Sequence, residues 1–120
     1  MSTKTAILVP GTAGLYAGIY KAAKYAAKKR ALVTTRLSLV EALLRLHSLS
    51  KIVVIMGARG RRKDDKGPNS MVSAPDIYQS LKAIDKKVKI VVMDGWLWSN
   101  IPGQVLLTGK DTIRAISDQL

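Results

Sequence analysis

Cysteine is absent from the 120 residues. That excludes disulfides, thiolate catalysis and any metal site built on sulfur. The single histidine, His47, excludes a histidine-rich metal site as well. Phenylalanine is missing too, so the aromatic residues are Trp96, Trp98 and four tyrosines. Acidic residues are scarce: Glu41 is the one glutamate, and residues 1–40 hold no acid at all. No apolar run reaches the roughly 18 residues needed to cross a bilayer. The opening "MSTKTAILVPGTAG" has neither the length nor the cleavage pattern of a signal peptide. A cytoplasmic protein without a membrane partner is the expectation, with no metal and no cofactor called for.

Positive charge is abundant. Twenty Lys+Arg stand against eight Asp+Glu, a formal net charge of +12. A field of that sign attracts polyanions and speeds encounter with them. Nearly half of the residues are apolar, enough for a core without staples, and the length suits one α/β domain over 1–120.

Apolar runs alternate with helical patterns along the chain. "TAILVP" (5–10) predicts a buried strand, "GTAG" a turn, and "LYAGIYKAAKYAAKKR" (15–30) a helix. In that helix Leu15, Ile19, Ala22, Ala23 and Ala26 share one face, opposite a stripe of Lys21, Lys24 and Lys28. A second strand is expected at 31–35. Ser38 with Glu41 makes a capping box, opening a helix that runs on through "LVEALLRLHSL". "KIVVIM" (51–56) is continuous rather than alternating, as in a strand buried on both faces. Residues 57–73 show no periodicity and predict a long basic loop. A helix over 74–87 with Pro75 in its first turn, a strand over 88–94, a tryptophan-bearing loop, a short strand over 104–108 and a last helix opened by Thr108 and Asp111 complete the order. The pattern implies βαβ units in a three-layer α/β sandwich, with a mostly parallel sheet of four or five strands, Rossmann-like or flavodoxin-like.

In such sheets ligands bind outside the carboxyl ends of the strands. That rule gathers Thr12, Thr34, Arg36, the loop "GARGRRKDDKG" (57–67), Asp94, the "GWLWSN" turn and Lys110 onto one rim. Arg59, Arg61, Arg62 and Lys63 put four positive charges within five residues, suited to bidentate phosphate contacts or to a solvated loop. The grip is the reading adopted, because the loop is long and follows a strand. Gly11, Gly14 and Gly18 fit neither the dinucleotide nor the Walker spacing. They make a turn and let the helix approach the sheet, with loose anion binding near Thr12 as the other use.

Asp64 and Asp65, adjacent in the basic loop, read as charge balance rather than a two-metal site. Asp94 suits either a sugar hydroxyl or metal contact or the capping of its own turn. Trp96 and Trp98 suit a core lid or a subunit contact, and alternatively stacking on a base. His47 reads as an exposed histidine serving a helix C-terminus. "GWLWS" resembles the Gly-Trp-x-x-Ser turn of nucleoside deoxyribosyltransferase-like proteins. The glutamate that family uses has no counterpart here, because Glu41 lies in a different element, and no property is carried over.

Three functions follow in order. The first is a protein binding nucleic acid or another polyphosphate through the arginine loop, with Lys21, Lys24 and Lys28 as a second surface. The second is a small nucleotide-binding enzyme in which Asp94 meets ribose and Trp96 or Trp98 stacks on a base. The third is a scaffold subunit forming a homodimer or higher oligomer through the tryptophan loop and the last helix.

Overall fold

The computed structural model describes residues 4–10, 13–56, 74–95 and 97–120. Five strands alternate with four helices: β1 Thr5–Leu8, α1 Ala13–Ala27, β2 Leu32–Thr34, α2 Leu37–Arg45, β3 Lys51–Ile55, α3 Ala74–Ile84, β4 Lys89–Asp94, β5 Val105–Leu106 and α4 Thr112–Ser117. All pairings are parallel, and the spatial order is β2-β1-β3-β4-β5. This is a flavodoxin-like α/β fold.

The apolar runs explain the layering. Alternate residues of a strand face opposite sides. Ala6, Leu8, Ile52, Val54, Ile90 and Val92 pack with Val40 and Leu44 of α2 and Ile77 and Leu81 of α3. Their neighbours Ile7, Val9, Val53, Ile55, Val91 and Met93 pack with Ala23, Ala26 and Ala27 of α1 and Ile116 of α4. Both faces of the central strands are covered, which is why β3 and β4 read as unbroken apolar runs. The small alanine face of α1 lets that helix lie close to the sheet.

Helix boundaries depart from the sequence pattern at the caps. The expected box between Ser38 and Glu41 does not form. Helix α2 starts two residues earlier, with Arg36 as N-cap and no side-chain cap. The Arg36 N–H instead donates to Thr34 Oγ1 at 3.1 Å, and Glu41 accepts from Ser80 Oγ on α3 at 3.0 Å. The box between Thr108 and Asp111 is also absent: Asp111 is the N-cap of α4 in left-handed geometry without a side-chain bond, and Thr108 Oγ1 accepts from the Lys110 N–H at 3.3 Å.

Helix α2 ends at Arg45 rather than running to Leu49. His47 adopts φ +56°, its N–H donates to the Leu44 carbonyl at 2.9 Å, and the Ser48 N–H donates to that of Leu43 at 3.0 Å. This is a Schellman cap with histidine where glycine is usual. The left-handed backbone costs a residue with a Cβ about 1–2 kcal/mol, so two capped carbonyls are obtained against strain.

At the start of the strands, Lys51 is in register with Lys89. Burial, and then the neighbouring Lys89, hold the Lys51 ammonium below the ordinary lysine pKa of 10.5. The unfolded chain therefore keeps that proton more firmly. The group's share of stability is present above its ordinary pKa and is lost as pH falls through the folded-state value.

Candidate functional site

The order β2-β1-β3-β4-β5 reverses direction between β1 and β3. The chain leaving β1 enters α1 on one face, and the chain leaving β3 reaches α3 on the other. Loops that part in this way open a crevice at the carboxyl ends of the two strands. Segment 57–73 departs from that point. Its flanking residues Met56 and Ala74 are both buried, and the Met56 N–H donates to the Met93 carbonyl at 2.8 Å. Arg59, Arg61, Arg62 and Lys63 lie outside the described residues, as do Thr12 and Trp96.

The neighbouring strand β4 delivers Asp94 to the same edge. Its side chain is fully buried. Asp94 Oδ1 accepts from the Gly95 N–H at 2.7 Å, and Oδ2 accepts from the Trp98 indole N–H at 2.7 Å. A carboxyl group inside a protein needs hydrogen-bond donors in place of water, and these two supply them. Trp98 is pinned from other directions as well. Its backbone N–H donates to Gln104 Oε1 at 2.8 Å, and its carbonyl accepts from the Ile101 N–H at 3.4 Å. Its half-buried ring packs on the core layer beneath α2 and α3. Leu97, Ser99 and Asn100 stay exposed beside it. Asp94 thus acts as an organiser of the tryptophan turn, and it holds that turn one strand away from the root of segment 57–73.

A likeness to a solved structure accompanies this geometry. The fold is similar to that of a response regulator. The crystal structure of an orphan response regulator of H. pylori aligns at a TM-score of 0.51 and 15% identity, covering 99% of this chain and 95% of that one. No protein-family model matches the sequence, and no curated protein matches it either.

The remaining candidates divide between the two ends of the sheet. Lys110 is exposed in the turn after β5, at the same edge as Trp98. Lys21, Lys24 and Lys28 are exposed on the outer side of α1, with Lys24 Nζ 5.5 Å from the centre of the Tyr20 ring. That stripe runs down the flank, and Lys28 stands past the end of α1 at the opposite edge of the sheet. His47 is exposed at that opposite edge too. Among the described residues no group of three or more His, Asp or Glu could hold a metal ion, and no helix is long and apolar enough to cross a membrane.

Sequence reasoning missed Gln104. Nothing in "GQVLLT" marks it, because its role exists only once the turn folds back and brings Trp98 within reach.

Proposed function

We propose that this protein binds nucleic acid through its phosphodiester backbone. Segment 57–73 supplies the phosphate contacts, and the tryptophan turn forms one wall of the binding crevice. The observation that supports the reading is the position of the segment's roots. Met56 and Ala74 are buried anchors at the switch point of the sheet, so four clustered positive charges are tethered where α/β proteins of this topology take ligands.

Arg59, Arg61 and Arg62 offer planar donors to phosphate oxygens, and Lys63 adds a point charge. Thr12, which follows β1 in the sequence, and Lys110, exposed at the same edge after β5, add contacts to the same backbone. The stripe of Lys21, Lys24 and Lys28 extends the positive field along one flank. Asp94 contributes by fixing Trp98, and that half-buried residue, together with Trp96, would stack on a base. Such binding discriminates weakly among sequences, because phosphate contacts position the protein rather than read bases.

Titrating a labelled duplex at several salt concentrations tests the reading. Each neutralised phosphate releases condensed counterions, so the plot of log K against log[salt] should fall with a slope of about −4 or steeper. A flat plot removes the proposal. A change in melting temperature with a mononucleotide but not with a duplex favours the small nucleotide-binding enzyme instead.

A further inference from the structure

Lysines gather at the edge of the sheet away from the crevice. Lys51 is in register with Lys89 on one side and with Thr5, the neighbour of Lys4, on the other. The Lys51 N–H donates to the Lys4 carbonyl at 3.1 Å, and the Lys89 N–H to that of Ser50 at 3.0 Å. Lys51 and Lys89 therefore open adjacent strands, roughly 4.8 Å apart in the pairing direction and on one face of the sheet, while Lys4, just before β1, falls on the other face. Every helix of a parallel sheet returns to this edge. The turn after α1 brings Lys28 and Lys29 here, and the turn after α3 brings Lys86 and Lys87, all four exposed.

Compensating charge is sparse. Asp85 accepts the Lys87 backbone N–H at 2.9 Å within its own turn, and Asp118 follows α4. Among the described residues none of these lysines makes an ion pair. The described part of the crevice edge, by contrast, sets Arg36 and Lys110 against Asp76, Asp94 and Asp111.

Internal roles account for some of the cations. Lys82 Nζ donates to the Val88 carbonyl at 2.6 Å, Arg30 donates to the Ala26 carbonyl at 3.0 Å and to Ser117 Oγ at 3.1 Å, and Lys51 Nζ donates to the Gln119 carbonyl. Lys28 and Lys29 suit the negative end of the α1 dipole. Among the described residues no such role is seen for the ammonium groups of Lys4, Lys86, Lys87 and Lys89, all of them exposed. Exposed like charges gathered at one edge attract a polyanion.

We propose that the amino-terminal edge of the sheet is a second contact surface for a nucleic-acid duplex, engaging its phosphates through Lys4, Lys29, Lys86, Lys87 and Lys89. The five charges share one edge of the sheet, as suits a partner that carries a dense array of anions. Leu32 and Leu46, exposed apolar side chains at this edge, sit on separate elements and fall short of the continuous apolar face of a membrane-surface helix. The surface shares its ligand chemistry with the function proposed above but does not depend on segment 57–73.

The test replaces Lys29, Lys86, Lys87 and Lys89 together by glutamine and measures binding to short labelled DNA and RNA duplexes and to phosphatidylserine vesicles. The salt slope for a duplex should become shallower by about two to four. In wild type, a saturating duplex should slow chemical acylation of Lys86, Lys87 and Lys89 severalfold, and this second readout decides the matter if the variant fails to fold. An unchanged slope with unprotected lysines overturns the proposal, and so does a loss confined to vesicles. If the crevice reading alone is wrong, glutamine at Arg59, Arg61 and Arg62 leaves duplex binding unchanged while these lysines remain protected.

Discussion

Glutamine at Arg59, Arg61 and Arg62 together is expected to weaken duplex binding by about 100-fold at physiological salt. The same variant should flatten the salt dependence by about three in log K against log[salt], roughly 0.9 for each phosphate that is no longer neutralised. The size of the effect follows from what the three side chains share. They carry charge that does not titrate near neutral pH, and their planar donors match two phosphate oxygens at once. Lysine at the same positions separates the two contributions: it should restore the slope while recovering only part of the affinity, since a point charge cannot reproduce the bidentate geometry. Binding within about threefold of wild type in the glutamine variant, when each arginine should count for several-fold, would leave segment 57–73 as a solvated loop.

Asp94→Ala is expected to destabilise the protein by about 2–3 kcal/mol, as two N–H donors lose their acceptor at a buried site. The Gly95 N–H and the Trp98 indole N–H both end on this carboxylate. Trp98→Phe keeps most of the ring packing but removes one donor, and should cost about 1–2 kcal/mol. Combining the two changes should give less than the sum of their separate costs, with a coupling of about 1–2 kcal/mol. Asp94→Asn falls between wild type and alanine, since its amide can accept one of the two bonds but presents a donor to the other. Denaturant titrations read all of these values, and tryptophan emission should shift to the red as the turn loosens. Strict additivity of Asp94→Ala and Trp98→Phe would break the link on which the tryptophan wall of the crevice depends.

The architecture was legible because burial on both faces writes itself into a strand. "KIVVI" and "KIVVM" leave no polar face, and that alone implies helices above and below a parallel sheet. Boundaries were less legible. Ser38 and Glu41 satisfy the spacing of a capping box, yet Glu41 finds Ser80 on the facing helix, a partner that no local pattern encodes. His47 ends α2 in left-handed geometry although glycine is the residue that normally announces such an end. At the site, Asp94 stood out as an acid ending a buried strand. Its partner Trp98 was visible as a residue but not as a partner, because the turn must first close against Gln104. The lysine edge escaped notice for a similar reason. Lys4, Lys29, Lys86 and Lys89 are spread along the chain, and only the fold brings them to one edge of the sheet.

The central claim is that segment 57–73 and the tryptophan turn contact one bound ligand at one edge of the sheet. Photo-cross-linking a saturating oligonucleotide duplex to the full chain, followed by mapping of the modified peptides, tests it most directly. The account predicts adducts in both 57–73 and 95–104 from the same bound duplex. Adducts found in neither stretch would contradict it.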